Sequence, residues 1–253
     1  MTDPIDIGSL LRGWDYDPDK NVRALRLGDG REIIQVRLPS GIEQYEMDGR
    51  PDGNRPYEMD SALDYFLSRL AEARRNDMED RFQLSEKDCS ELFEEGVLFY
   101  YRYLHLFELE DWPRMLRDTS RNMRLFDFIR DFAEREEDQQ HLEQWRPYIV
   151  RMRAIAAAMV EINGRHHARA AAIVEDAIVA IEALPTIEHA GFNFERQRSL
   201  NALGEMATHI DETRPLEPVD RLAREMDAAI AAERFEEAAE LRDRISLLGN
   251  EGA

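Results

Sequence analysis

Cysteine is nearly missing from this chain of 253 residues, because Cys89 is the only one. A single thiol cannot form an intrachain disulfide, and it excludes zinc ribbons and iron–sulfur clusters, which need several thiolates. Long apolar runs are missing too: no stretch approaches the roughly eighteen apolar residues that a membrane-spanning helix needs. The opening MTDPIDIGSL has neither the basic start nor the apolar run of a signal peptide. We therefore expect a cytoplasmic protein.

Lysine is scarce, because only Lys20 and Lys87 occur and arginine supplies nearly all the positive charge. Acidic residues outnumber basic ones by 53 to 33, which gives a net charge of −20. A surface this acidic repels phosphate backbones, since nucleic-acid affinity comes largely from cations that neutralise phosphates. We therefore expect no direct nucleic-acid binding by the surface as a whole, although the composition leaves room for a local arginine patch.

Residues 1–57 form the first of three predicted parts, because glycine and proline concentrate there between short apolar segments. The pair Asp29-Gly30 between two apolar runs is a strong hairpin signal. We predict a small antiparallel β-meander with strands at residues 22–27, 31–38 and 42–47. A three-stranded sheet is barely stable alone, so one face should pack on helices. That face carries Ile34, Val36 and Leu38, and Trp14 and Tyr16 should cover an edge.

Residues 58–213 are predicted to be a helical body. Ser61 and Ser85 are predicted helix N-caps, because each is a serine with aspartate three positions on. Asp111-Trp112-Pro113 should end one helix and start the next, with proline near its first turn. We also predict a helix kink at Pro147 and a left-handed C-terminal cap at Asn163-Gly164.

The body contains a weak internal repeat: a unit of a helix, a short turn and a second helix recurs at an offset of about 55 residues. The unit loosely resembles a tetratricopeptide helix pair, although that repeat has a period of about 34 residues and fixed aromatic and glycine positions that are mostly absent here. We therefore expect stacked helix pairs.

Residues 219–248 are predicted to form an antiparallel helical hairpin after a stiff hinge at residues 214–218. Apolar residues recur with the helical period on both sides of a break at Glu233-Arg234, which is long enough only for a tight turn. A hairpin this small should not cover its apolar faces alone, so we expect another protein or the chain's own body to cover them. The predicted partner-binding residues are Leu222, Met226, Ala229, Phe235, Ala238, Ala239, Leu241, Arg242 and Ile245.

The same stretch closely resembles the UVR motif, the C-terminal helical hairpin of the nucleotide-excision-repair proteins UvrB and UvrC. Two positions depart from the pattern: Ile230 stands where alanine is usual, and Arg234 stands where an acidic residue is common. The resemblance implies a hairpin that joins proteins and performs no chemistry. The motif also occurs in Clp-type stress ATPases and in an activator of a protein arginine kinase, so it implies docking more firmly than DNA repair. The matching residues are Leu222, Glu225-Met226, Ala229, Phe235-Glu236, Ala238-Ala239, Leu241-Arg242-Asp243 and Ile245.

Other candidate sites are interpreted as structural. The pairs Asp138/His141 and Glu205/His209 have helical spacing for metal ligands, but a di-iron bundle needs more, and we interpret them as solvated residues and predict no metal. Cys89 should be an inert thiol, because its acidic neighbours raise a thiol pKa. The aromatic cluster between Phe99 and Phe107 should pack in the core. The segment Gly49–Gly53 should be a plain turn, although Arg50 and Asp52 could contact a partner.

The sequence thus predicts a mainly helical, non-enzymatic adaptor without a cofactor, anchored to another protein by Phe235. Nucleotide excision repair is one setting for it, and a Clp-type protease or stress system is another. Self-association through the hairpin is a third alternative. An enzyme with a site between the sheet and the helices stays open, and so does the identity of the partner.

Overall fold

A computed structural model describes residues 6–213 and 218–251. The chain divides into two compact units, residues 1–207 and residues 208–253. The first unit contains a sheet and most of the helices, and the second contains the C-terminal hairpin. The predicted mainly helical fold with a small N-terminal antiparallel sheet is confirmed. The predicted hinge at residues 214–218 falls largely outside the described residues.

The sheet follows a short helix, α1 (Gly8–Arg12). Its strands pair antiparallel in the order β1 (Val22–Arg26), β2 (Glu32–Leu38) and β3 (Gly41–Glu46). The predicted turn between β1 and β2 is confirmed, and Gly30 has a φ of 90° there, which glycine adopts without a steric cost. As predicted, Ile34 and Val36 point into the core and Leu38 packs against it.

Only one of the two aromatic residues predicted to cover a sheet edge does so. The ring of Trp14 lies 3.8 Å from the guanidinium carbon of Arg23 on the edge strand β1. Tyr16 is exposed, so the prediction for this residue is wrong.

Three helices begin where the sequence predicts. These are α2 (Ala62–Arg75), α3 (Glu86–Glu108) and α4 (Trp112–Phe132). The side chains of Ser61, Ser85 and Asp111 each accept a hydrogen bond from the backbone N–H three residues on. The remaining helices are α5 (Glu136–His141), α6 (Arg146–Asn163), α7 (His167–Glu182), α8 (Ala190–Thr213), α9 (Pro218–Ala231) and α10 (Phe235–Glu251).

The predicted kink at Pro147 is wrong. Pro147 is in the first turn of α6, where its missing N–H leaves no hydrogen bond unmade. The chain bends before it, through α5 and a short 3₁₀ turn at Glu143–Trp145. Proline therefore starts a helix here.

Within the described residues, four helices end in a left-handed residue that is not glycine. In each, the residue after it donates its N–H to the carbonyl five positions back, as in a Schellman motif; His166 donates to Glu161 at 2.8 Å. The predicted glycine cap at Gly164 is wrong, because Gly164 is still right-handed and Arg165 takes the left-handed position. The four residues are Asp77 (φ 54°), Glu110 (φ 56°), Arg165 (φ 63°) and Glu233 (φ 59°).

The helices of the first unit pack in sequence, α3 on α4, α4 on α6 and α6 on α7. This arrangement agrees with the expected stack of helices, whereas the tetratricopeptide likeness stays a prediction. The sheet shares one hydrophobic core with these helices. The buried residues of this core include Val36, Met47, Phe66, Leu92, Leu106, Met115, Leu125, Ile129 and Ile149.

An ion pair is buried between α3 and α4. The guanidinium of the buried Arg102 donates to both carboxylate oxygens of Asp118, at 2.6 and 2.9 Å. It also donates to the backbone carbonyls of Glu46 and Gly49, each at 2.8 Å. Arg102 therefore attaches the loop after β3 to the helical body through charge-assisted hydrogen bonds.

A second buried carboxylate joins three helices. Glu95 on α3 is 0% exposed, and its two oxygens accept hydrogen bonds from the backbone N–H groups of Ala62 (2.7 Å) and Leu63 (3.1 Å) at the start of α2. It also accepts a hydrogen bond from the guanidinium of Arg121 on α4. The guanidinium of Arg50 lies 3.6 Å away on the opposite side.

Among the helices of the described ranges, none combines the length and the apolar character that crossing a bilayer demands.

Candidate interaction surface

The C-terminal hairpin consists of α9 and α10 joined by residues 232–234. The predicted break is confirmed: Glu233 is left-handed, and the N–H of Arg234 donates to the carbonyl of Ala229 at 2.8 Å. The N–H of Glu233 donates to the carbonyl of Ile230 at 3.0 Å, which completes a Schellman motif. These bonds end α9 and reverse the chain within three residues.

The first turn of α10 carries negative charge, which is favourable at a helix N-terminus. Glu236 and Glu237 are in its first turn, where negative charge interacts favourably with the helix dipole. The guanidinium of Arg234 lies 2.6 Å from the carboxylate of Glu237. Arg234, which departs from the usual UVR pattern, therefore has a local partner within the hairpin.

The inner faces of the two helices cover each other. Leu222 and Ala229 on α9 form one buried cluster with Ala238 and Leu241 on α10, and all its members are hairpin residues. Alanine at the two central positions allows the helix axes to approach toward the lower end of the usual range of about 8–10 Å. The prediction that a partner or the body must cover these residues is therefore wrong for the inner faces.

Two further predicted residues pack against this inner cluster from its margins. Met226 and Ile245 are half-buried there. Six of the nine predicted binding residues thus stabilise the hairpin itself. A partner could contact the four fully buried ones only if the two helices separated.

The other three predicted residues point outward from α10. Phe235, Ala239 and Arg242 are exposed, and their spacing of four and three residues places them on one helix face. Phe235 is 66% exposed, which is unusual for a residue with so much apolar surface.

Ile230 was not predicted as a binding residue, yet it is 48% exposed near the turn end of the hairpin. Its departure from the usual alanine was the signal that could have identified it. We call Ile230, Phe235, Ala239 and Arg242 the outer face of the hairpin.

Charged side chains of both signs surround the outer face. Asp227, Glu236 and Glu240 are exposed, as is the pair Arg242–Asp243 with its 2.8 Å contact. An apolar centre with a polar margin is the usual composition of a protein–protein contact. The face offers hydrophobic area and charge for recognition.

The remaining candidate sites have structural roles. Cys89 is buried, and this burial, followed by the charges of Asp138 and Asp88, raises the pKa of its thiol to about 12. The prediction of an unreactive thiol is thus supported, with burial as the larger cause. Asp138 is buried beside Arg135, so its interpretation as a solvated residue is wrong. His141 is exposed, and its ring lies 4.4 Å from that of Phe93.

Arg50 of the turn at Gly49–Gly53 and part of the aromatic cluster face inward. Arg50 contacts Asp52 and Glu95, so its guanidinium points toward α3 and is not presented at the surface for a partner. Phe99 and Tyr103 are buried in agreement with the prediction, whereas Tyr101 and Phe107 are exposed, so the prediction is wrong for these two. Within residues 6–213 and 218–251, no group of three or more histidine, cysteine, aspartate or glutamate side chains is placed to hold a metal ion.

Comparison with known families identifies the hairpin. Residues 217–251 match the model of the UVR family, described as the UvrB/uvrC motif. The match covers the hairpin alone, and motifs of this type are associated with contacts between proteins. Searches of curated proteins and of solved structures gave no match to the chain.

Proposed function

We propose that this protein is a non-enzymatic adaptor that binds another protein through the outer face of its UVR-like hairpin. The observation that carries the proposal is the exposure of Phe235 on a hairpin whose inner faces are already covered. The hairpin is thus folded without a partner and still has a large apolar side chain available for one. Cytoplasmic partners of the UvrB/UvrC or Clp type would fit the motif.

The size of the contact can be estimated from Phe235. Complete burial of a phenylalanine side chain contributes about 1.5–3 kcal/mol, so covering the two thirds that are exposed contributes about 1–2 kcal/mol. Truncating Phe235 to alanine should therefore weaken binding roughly tenfold. Stability should change little, because the side chain makes no part of the buried cluster.

Titration of the full chain with purified UvrB-type, UvrC-type and Clp-type proteins from the same genome tests the proposal. The Phe235→Ala variant should bind the responding partner about tenfold more weakly than the unaltered chain. Phe194→Ala is a matched control, because Phe194 on α8 is 65% exposed and lies outside the hairpin. A chain that ends at Arg214 should not bind at all.

Two results would reject the adaptor. The first is an absence of binding to all three partner types. The second is an equal loss of affinity in the Phe235 and Phe194 variants. Sedimentation at several concentrations separates self-association from adaptor function. If the unaltered chain is a homodimer and the Phe235→Ala variant is a monomer, the outer face binds a second copy of the chain.

A further inference from the structure

A cleft of about 490 Å³ lies in the first unit, and all its lining residues belong to that unit. It opens between the loop after β3, the start of α2, and helices α3 and α4, and its volume falls within the usual range of about 300–1,000 Å³ for small-molecule sites. A wider depression over the start of α3 has no buried lining residue and is open surface. The cleft is lined by Gly49, Asp60, Ser61, Asp64, Phe99, Arg102, Arg117, Asp118, Ser120, Arg121 and Arg124.

Four of the lining residues are arginines, which stand out in a chain with a net charge of −20. Two of them have carboxylate partners that offset their charge. Arg102 is paired with Asp118, and Arg117 contacts Asp118 at 3.0 Å and Asp48 at 2.6 Å. These two residues form the rigid wall of the cleft.

The positive charge of Arg121 is less fully offset by nearby carboxylates. It is 9% exposed, and its carboxylate partner Glu95 also accepts two backbone hydrogen bonds and lies near Arg50. The Nε of Arg121 is buried and has no hydrogen-bond partner in the described part of the chain. Its guanidinium carbon lies 4.1 Å from the centre of the Phe99 ring, which holds the group in place. Burial lowers the pKa of Arg121; the nearby carboxylate of Asp64 opposes this shift, and the charges of Arg124 and Arg50 add to it.

Arg124 is three residues further along α4, so it lies on the same helix face as Arg121. It is exposed and makes no ion pair with any residue of the described ranges. A free guanidinium and a buried, partly satisfied one therefore share one opening. Together they provide two positive charges and several N–H donors, which are the groups that bind phosphate oxygens.

We propose that this cleft binds a small phosphomonoester, with its phosphate held between Arg121 and Arg124. A bound dianion would offset the two positive charges of Arg121 and Arg124. The backbone N–H groups at the start of α2 already bond to Glu95, so the guanidiniums carry the recognition.

The acidic residues of the cleft limit the ligand. Asp60 and Asp64 are among the lining residues, and both would repel a second phosphate while accepting hydrogen bonds from hydroxyl groups. Ser120 adds a hydroxyl group. The cleft is therefore suited to one phosphate on a polyhydroxylated body, such as a sugar, and poorly suited to a polyphosphate.

Calorimetric titration of the full chain at constant ionic strength tests the site, with inorganic phosphate, glucose 6-phosphate and glucose as probes. Glucose 6-phosphate should bind more tightly than phosphate, and glucose should give no signal. Arg124→Gln should weaken phosphate binding roughly tenfold, as expected for loss of a charge-assisted contact. Arg124 is exposed, so the variant should fold normally.

Arg130→Gln is the control, because Arg130 is exposed on the same helix and its removal changes the net charge by the same amount. Its phosphate affinity should equal that of the unaltered chain. Absence of binding at millimolar phosphate would overturn the proposal, as would an equal loss of affinity in the two variants. None of the altered residues belongs to the hairpin, so failure of phosphate binding and failure of partner binding are distinguishable results.

Discussion

Replacing Glu95 with glutamine should destabilise the protein far more than its chemical similarity suggests. The two oxygens of the Glu95 carboxylate accept hydrogen bonds from different donors, one from Ala62 and the other from Leu63 and Arg121. Glutamine keeps one acceptor and turns the other into a donor. Whichever way the amide is oriented, a buried N–H then faces another N–H.

The magnitude follows from these contacts. An unsatisfied buried donor costs about 1–3 kcal/mol. Removing one partner of a buried ion pair costs about 3–5 kcal/mol, because the remaining charge is left uncompensated. The two effects overlap at Arg121, so we expect Glu95→Gln to lower the free energy of unfolding by about 4 kcal/mol. That is a large share of the roughly 5–15 kcal/mol typical of a folded protein.

Urea denaturation followed by circular dichroism measures this change. Glu94→Gln is the matched control, because Glu94 is the exposed neighbour and should change stability by at most about 0.5 kcal/mol. Arg121→Met should cost less in the Glu95→Gln background than alone, since the uncompensated charge is then gone. A loss below about 1 kcal/mol for Glu95→Gln would refute the role of this carboxylate.

Two further predictions concern other parts of the chain. Glu233→Gly should slow hydrogen exchange in α9 and α10 by stabilising the hairpin by about 1 kcal/mol, because a left-handed φ costs a residue with a side chain more than it costs glycine; unchanged or faster exchange would contradict this. The pKa of Cys89 is about 12 in the folded protein against an ordinary 9.0, so the unfolded chain releases the thiol proton first and the free energy of unfolding should decrease as pH rises above about 9. The decrease should be smaller in Cys89→Ala, and equal pH dependence in the two proteins would be the contrary result.

The features that could be predicted from the sequence are encoded locally. Asp29-Gly30 specifies a turn, and serine with aspartate three residues on specifies a helix start, whatever lies elsewhere in the chain. The hairpin turn at Glu233 belongs to the same class, because the apolar period changes phase within a few residues. Each of these signals uses neighbours in sequence, so each was found correctly.

The buried ionic network could not be predicted in this way. Glu95 and Arg102 lie on a long helix rich in charge, where single charges are usually solvated. Their partners Arg121 and Asp118 are 26 and 16 residues away and meet them only after α3 and α4 pack. Periodicity places a residue on a helix face, but it does not reveal which charge on another helix faces it.

The left-handed cap of α6 was mispredicted for a related reason, although the helix ends at Asn163 as predicted. Gly164 has the residue type of a left-handed cap, yet the geometry falls one residue later, on Arg165. The backbone hydrogen bonds of a Schellman motif fix which residue must be left-handed. The position of those bonds depends on where the helix ends, and packing against neighbouring helices sets that point. The sequence likewise could not distinguish the exposed residues of the hairpin's outer face from its buried inner residues, because both groups recur with the same helical period.

The four left-handed helix ends at Asp77, Glu110, Arg165 and Glu233 have a genetic consequence. Every codon for aspartate, glutamate or arginine is a single-base change away from a glycine codon, so each end is one mutation from the residue that suits its backbone. The protein therefore has four separate routes to a more stable fold that require no repacking of its interior. A destabilising change elsewhere, such as one in the network around Glu95, could be compensated at any of them, and a selection for suppressors should recover glycine at these four positions first.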